Sequence, residues 1–228
     1  YKGTLSASYA AFPEGSLARV HYIIGRYEGE TPVIARATLE AEISAIAATW
    51  GDKLKAALAI STDGMRARML ANRYARAFSG GYTEAFGAAQ AIADIATIEK
   101  LTLTRPVALS VYHIEGGDDP TRFGLKVFSH GAPLSLSYRV PVIENHGLRV
   151  VNERTYQVVP TATPAPAPVW LHDMTIETSD GEPIVIGTEF SHRLEASIMA
   201  VVGDHAESDG FNALILRTSL GWREISAI

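Results

Sequence analysis

Cysteine is absent from the 228 residues of the chain. Without a thiol, disulfides, thiolate metal sites and cysteine nucleophiles are all excluded. Long apolar runs are also lacking, since none approaches the roughly 18 residues that a membrane span needs, and no signal-peptide pattern stands at the start. The net charge of −5 argues against non-specific nucleic-acid binding, which needs a basic surface. We therefore expect a cytoplasmic protein with neither nucleic acid nor membrane among its partners.

The composition is that of an ordinary globular protein. Hydrophobic residues make up 47% of the chain and charged residues 20%, and the length suits one large domain or two small ones. A sizeable core can form without disulfides or metals. Because the chain begins with Tyr1 and stops at Ile228 within a predicted helix, we expect a piece of a longer protein.

The first part of the chain predicts one strand and three helices. Residues 1–15 carry no clear pattern and are interpreted as a loosely ordered lead-in. Alternation over 18–26 predicts a strand. Apolar residues at helical spacing predict helices over 35–60, 63–78 and 83–101. The first of these helices shows an apolar stripe formed by Leu39, Ile43, Ile46, Trp50, Leu54 and Leu58. Asp63 is predicted to cap the second helix, and Gly80-Gly81 to end it.

The pattern changes at Pro106. Residues 107–116 and 122–130 are rich in strand-forming side chains and are separated by a glycine-rich turn, as in a hairpin. A helix, a glycine and a strand follow over 133–159, then a proline-rich connector over 160–168. Residues 169–178 predict a further strand, with Trp170, Met174 and Ile176 expected on one face. Two helices are predicted over 188–205 and 211–225 at the end of the chain, and Asp209 is expected to cap the second. The order predicts an α+β fold with a mainly antiparallel sheet and helices on one face, and three domains, at 1–105, 106–186 and 187–228.

The segment after Pro133 carries the most detailed local signals. Ser137 is predicted to cap the helix, and Pro141 to fall in or just after its first turn, where a missing N–H matters least. Gly147 stands where a left-handed residue ends a helix, and Leu148 can close the contact behind it.

Catalytic patterns are missing. Neither a Rossmann glycine fingerprint nor a P-loop is present, and there is no nucleophile elbow or H-E-x-x-H motif. We predict no catalytic, cofactor-binding or metal-ligating residue. Residues 204–209 are polar enough for an oxygen-rich cation site, but the favoured interpretation is a helix end, a solvated turn and an N-cap for the next helix. Glu144, Asn145 and Gly147 form the one candidate corner for a small ligand or a neighbouring subunit; the alternative is that Asn145 and Gly147 only end a helix.

Three groups of residues, taken in order, carry a resemblance to a known family. The first group is RVHYIIGR (19–26) and TWGDKL (49–54). The second is NRYARAF (72–78), DI (94–95) and IEKL (98–101). The third is LS (136–137), VPVIEN (140–145) and GLRV (147–150). These blocks resemble the large bacterial NAD-dependent glutamate dehydrogenases. The segments DGFNAL and GWRE further on are similar to the stretch that leads into that family's catalytic part.

The resemblance implies a non-catalytic segment ahead of a catalytic core. Such segments contain ACT-like domains, built on a ferredoxin-like sheet, which often bind amino acids or join subunits. The parent reaction would be oxidative deamination of L-glutamate to 2-oxoglutarate and ammonia with NAD. That chemistry needs a lysine in a glycine-rich loop and a Rossmann domain; the chain shows neither, so no catalytic residue is carried over and no cofactor is expected here.

The partners implied are the catalytic core of the same polypeptide, other copies in a homo-oligomer, and an amino-acid effector. Two other interpretations stay open. One is a stand-alone amino-acid-sensing ACT-like protein. The other is a hydrolase that uses Asp204, His205 or Asp209.

Overall fold

The computed structural model describes residues 3–11, 19–29, 33–114, 116–117, 119–162 and 166–228. Contacts divide the chain into two compact units, residues 1–48 and 49–228. The three-part domain division expected from the sequence stays a prediction.

The described part of the first unit contains two strands and a helix. Strands β1 (Gly3–Ala11) and β2 (Arg19–Arg26) pair antiparallel, and helix α1 (Arg36–Ala47) follows. The prediction of a loosely ordered lead-in is wrong for 3–11, while 1–2 and 12–15 lie outside the described residues. The sequence of β1, GTLSASYAA, is made mostly of small residues with few of the β-branched and aromatic side chains that signal a strand. The segment forms a strand because its backbone pairs with β2.

The helix predicted over 35–60 is two helices. Helix α1 ends at Ala47, and α2 (Trp50–Ser61) begins after Thr49. The Thr49 hydroxyl accepts from the Asp52 backbone N–H, and the Asp52 carboxylate accepts from the Thr49 backbone N–H, both at 3.2 Å. This reciprocal capping box starts a new helix, although the apolar spacing continues in phase across it.

Three more helices complete the helical part of the second unit: α3 (Gly64–Tyr74), α4 (Gly80–Ala85) and α5 (Ala88–Ile98). Asp63 caps α3 as predicted, by accepting from the Arg66 backbone N–H at 3.0 Å. The helix predicted over 83–101 is instead split into α4 and α5, because Phe86 and Gly87 adopt extended backbone between them.

A four-stranded antiparallel sheet follows. Its strands are β3 (Val107–Tyr112), β4 (Arg122–His130), β5 (Leu148–Val158) and β6 (Val169–Thr178), in the order β3-β4-β6-β5. The α+β prediction is confirmed. Helix α6 (Leu136–Asn145) comes after β4 and α7 (Thr188–Val202) after β6. This part of the chain thus has the order β-β-α-β-β-α. It is the β-α-β-β-α-β order of ferredoxin-like folds with the last strand moved to the front.

Helices cover both faces of this sheet. Along β4, Phe128 packs with α2, α3 and α5, while Leu125 and Val127 pack with α6 and α7. The helical part expected from the sequence therefore forms the second layer of one sandwich. The same alternation buries Leu171 of β6 on one side and Met174 on the other, whereas Trp170 is half-buried and belongs to neither core.

Local details around α6 and the C-terminal region differ from expectation. The helix begins after Ser135, and Ser137 donates its hydroxyl to the Ser135 hydroxyl instead of capping. Pro141 lies in the helix interior rather than in its first turn. The last predicted helix is three short pieces, a 3-10 helix (Gly210–Ala213), α8 (Leu214–Arg217) and α9 (Trp222–Ile225). Asp209 caps the first piece as predicted, accepting from the Phe211 backbone N–H at 2.9 Å.

Candidate functional site

The predicted corner lies at the C-terminal end of α6. Glu144 is exposed, while Asn145 is half-buried and donates from its side-chain amide to the Ser208 hydroxyl at 3.0 Å. Gly147 has a φ of +73°, the left-handed conformation that a helix-ending glycine adopts. The three residues are neighbours in space, and their contacts are structural ones. A ligand role for them stays a prediction.

Gly147 is also a point of close packing. A Cβ placed on it would lie 3.0 Å from the Ala213 Cβ and 3.1 Å from the Leu216 Cδ1. Both atoms belong to the C-terminal pieces of the chain, so the missing side chain lets α8 and its neighbour approach the sheet. The glycine therefore serves both backbone conformation and packing.

A cleft of about 980 Å³ opens beside this corner. Its floor is apolar, from Val142, Val201 and Ile225, and its rim is acidic. The rim residues are Asp204, Glu207, Ser208 and Asp209. Because Ser208 is the partner of Asn145, the corner and the cleft share a wall. Among the described residues no group of three or more His, Asp or Glu side chains is placed to hold a metal ion.

A buried ion pair joins the helical layer to the sheet. The Lys126 ammonium of β4 lies 2.6 Å from the Asp94 carboxylate of α5, and both side chains are at most 2% exposed. Tyr82 donates its hydroxyl to the same carboxylate at 2.5 Å, and burial raises the pKa of that hydroxyl. The ammonium also lies 3.8 Å from the centroid of the Phe86 ring, within the range of a cation–π interaction.

Sequence reasoning missed this pair, although a signal is present. Asp94 stands in phase with the buried stripe Ala91, Ile95 and Ile98 of α5, and Lys126 interrupts a strand that is buried on both faces. A strand covered on both sides is a nearly continuous apolar run. When a negative charge lies in one apolar stretch and a positive charge in another, the two side chains are expected to pair in the core.

A second buried polar group lies on the other face of the sheet. Arg139 of α6 pairs with the Glu153 carboxylate of β5, and His172 of β6 lies 3.2 Å from the same carboxylate through its Nδ1. Burial, followed by the Arg139 charge, lowers the pKa of His172. Burial raises the pKa of Glu153, but hydrogen bonds from Arg139 and Thr155 outweigh it and lower the pKa.

His172 and Asp173 lie on opposite faces, as expected for neighbours in a strand. Asp173 accepts a hydrogen bond from the Tyr112 hydroxyl at 2.6 Å, beside the Lys126 pair. Burial raises the pKa of Asp173, and the bond from Tyr112 only partly offsets that effect. Asp173 is therefore a second, half-buried carboxyl at the joint between the helical layer and the sheet.

His146 is fully buried behind the corner. Its Nδ1 lies 2.7 Å from the Val142 carbonyl and its Nε2 3.0 Å from the Ser197 hydroxyl. Burial lowers the pKa of this imidazole. The side chain ties α6 to α7 through hydrogen bonds and is closed off from solvent, so it holds the two helices rather than exchanging protons with a ligand.

The arrangement supplies structure more than chemistry. The Lys126–Asp94 and Arg139–Glu153 pairs each join opposite charges, and the hydroxyl groups of Tyr82 and Thr155 donate hydrogen bonds to their carboxylates. None of the helices that the structure describes is long and apolar enough to cross a membrane.

Comparison with known proteins assigns both layers. Residues 57–101 match the family model for helical motif 2 of glutamate dehydrogenase, and residues 106–188 match its ACT3 domain. The chain is 34% identical over 218 residues to an NAD-specific glutamate dehydrogenase of Halomonas elongata. The chain thus matches this family in both of its modules. Proteins of the same name from Pseudomonas aeruginosa and Mycobacterium tuberculosis are 27% and 29% identical over 219 and 194 residues.

These matches confirm the resemblance and limit it. The aligned regions cover 94%, 95% and 83% of this chain, but only 13%, 13% and 11% of the three relatives. The chain thus spans only a small part of the length of these relatives. The two matched modules correspond to the two packed layers: helical motif 2 takes in α3 to α5, and the ACT3 domain takes in the four strands and α6. The Lys126–Asp94 pair bridges the two modules.

Proposed function

We propose that this segment is a non-catalytic assembly or regulatory part of a cytoplasmic, homo-oligomeric NAD-dependent glutamate dehydrogenase. The parent polypeptide would oxidise L-glutamate to 2-oxoglutarate and ammonia with NAD as the hydride acceptor. Its catalytic core would be the first partner of the segment.

The observation that carries the proposal is the buried ion pair between the two modules. Removing two charges from water is expensive and adds little net stability compared with an apolar contact. Such a pair, with the Tyr82 hydroxyl and the Phe86 ring around it, fixes one register of α5 against β4. A rigid joint between helical motif 2 and the ACT3 sheet suits a segment that holds other parts of an enzyme in place.

Separating catalysis from scaffolding is the first test. The purified 228-residue chain should neither form NADH from glutamate nor bind NAD, whereas the full-length polypeptide should do both. NADH formation by the isolated chain would overturn the proposal. Reading the gene beyond Ile228 is a second test, because a Rossmann motif and a glycine-rich lysine loop should follow. A stop codon there would favour the stand-alone amino-acid sensor.

The regulatory half of the proposal concerns the acidic cleft and the Glu144–Gly147 corner. An amino-acid effector would place its ammonium against the acidic rim and its side chain against the apolar floor. A thermal-shift screen of the chain with the twenty amino acids tests this, since a ligand that binds only the native state raises the melting temperature. Any shift should disappear in Asp209→Asn and persist in Asp119→Asn, an exposed carboxylate away from the cleft. If no amino acid shifts the melting temperature, only the assembly role remains of the proposal.

A further inference from the structure

Among the residues that the structure describes, two consecutive antiparallel strands followed by a helix, a ββα unit, occur three times. The second and third units are β3–β4–α6 and β5–β6–α7. The first is β1–β2–α1, which lies in the separate compact unit of residues 1–48. The three units share an order of elements, but only two of them are packed together into one sheet.

The second and third ββα units complete each other. Their second strands, β4 and β6, are the inner strands of the sheet and pair antiparallel from Arg122↔Glu177 to His130↔Val169. Helices α6 and α7 then lie on the same face and bury Leu125 of β4 and Met174 of β6 in one core. Each unit thus receives a sheet partner along its second strand and a neighbour for its helix.

The first ββα unit has no such complement among the described residues. Its sheet has two strands, and Leu5, Tyr22 and Ile24, which share one face, are 61%, 65% and 37% exposed. Helix α1 has no buried residue, and Ile43 and Ile46 of its apolar stripe are exposed. A two-stranded sheet is marginally stable by itself, and three or more strands with a covered face are needed for independent stability.

The outer edge of β2 lacks the features that protect a free edge. Between Arg19 and Arg26 its residues are VHYIIG, without lysine, acidic residue or proline. The genuine edge strand β5 instead carries charges at Arg149, Glu153 and Arg154 and a bulge at Val151. Bulges and charges are the devices by which proteins keep edge strands from pairing. The edge of β2 is therefore less protected than the edge of β5.

We propose that the free edge of β2 pairs antiparallel with the second strand of another ββα unit of the same polypeptide, outside these 228 residues. The position follows from the completed sheet, in which second strands are the inner ones. The source follows from length, because the chain spans only about 13% of its first two relatives. This inference rests on the proposed function, in which the segment is part of the long enzyme.

Hydrogen exchange at residues 19–26 tests the pairing. The full-length polypeptide and the 228-residue chain are compared by mass spectrometry. We expect exchange to be about tenfold slower or more in the full-length polypeptide, because pairing places these amides in a cooperative sheet. Tyr22→Lys should remove the protection in the full-length polypeptide, since it puts a charge on the covered face. Val33→Lys is the control, because Val33 is fully exposed and lies outside the strands.

Three outcomes would overturn the inference. One is equally fast exchange at 19–26 in both proteins. Another is equal protection in the 228-residue chain as a monomer, which would mean that β2 needs no further strand. The third is protection in the 228-residue chain that grows with concentration and accompanies dimers in sedimentation, which would make the partner a second copy. Glutamate-dependent NADH formation in the same full-length sample reports separately on the proposed function.

Discussion

The two compact units of the chain contrast in how they use similar elements. Residues 49–228 bury large side chains on both faces of a sheet and carry paired charges in the interior, while none of the described residues of 1–48 is buried. Apolar pattern therefore does not decide burial by itself, since a face is buried only when a second element covers it.

Breaking the buried pair should have the largest effect. Replacing Lys126 with Met leaves the Asp94 carboxylate buried without its counter-charge, and losing one partner of such a pair lowers the free energy of unfolding by about 3–5 kcal/mol. Chemical denaturation of the 228-residue chain measures the loss. Adding Asp94→Asn should recover part of it, because no unpaired charge then stays buried. Lys53→Met, at an exposed lysine, should change little. An equally small loss for Lys126→Met would contradict the role of the pair.

Two glycines with the same φ separate backbone strain from crowding. Gly147 and Gly181 both have a φ of +73°, but a Cβ on Gly147 would crowd Ala213 and Leu216 while one on Gly181 would meet nothing within 4 Å. Gly181→Ala should lower the free energy of unfolding by about 1–2 kcal/mol through the left-handed backbone alone. Gly147→Ala should lower it by about 1–3 kcal/mol more, because overpacking adds to that. Equal losses in denaturant titrations would show that the C-terminal pieces give way.

Acid should lower the stability of the compact unit of residues 49–228 through its buried histidines. Burial lowers the pKa of His146 and of His172 from the ordinary value of 6.5. Below that pH the unfolded chain binds more protons than the folded one, so the free energy of unfolding falls as the pH falls. Unfolding curves between pH 7.5 and pH 5.5 should show this slope. His146→Gln should reduce the slope, leaving the share of His172, and the exposed His21→Gln should leave it unchanged. A slope unaffected by His146→Gln would refute its contribution.

Much of the architecture follows from local pattern, and the rest depends on what covers each surface. Strands β2 to β6 and the turn at Gly147 were predicted because alternation and glycine punctuation are local signals. Strand β1 was missed because it is rich in small residues such as Ala7, which carry no local strand signal, and it forms through pairing with β2. The helix end at Asn145 was predicted from sequence, but the cleft beside it was not, since Ser208 approaches only through the tertiary fold.

The smallest expected effect lies in the first unit and tests the contrast directly. Ile46 and Leu54 belong to one predicted apolar stripe, yet Ile46 of α1 is 86% exposed and Leu54 of α2 is fully buried. Leu54→Ala should lower the free energy of unfolding of the 228-residue chain by about 2–5 kcal/mol, because it leaves a cavity in the core. Ile46→Ala should change it by less than about 0.5 kcal/mol. In the full-length polypeptide the Ile46 variant should lose more stability than in the 228-residue chain, since α1 would there be covered by the unit that completes β2. An effect of Ile46→Ala that is equally small in both proteins would leave α1 a solvent-exposed helix and end the analogy with α6 and α7.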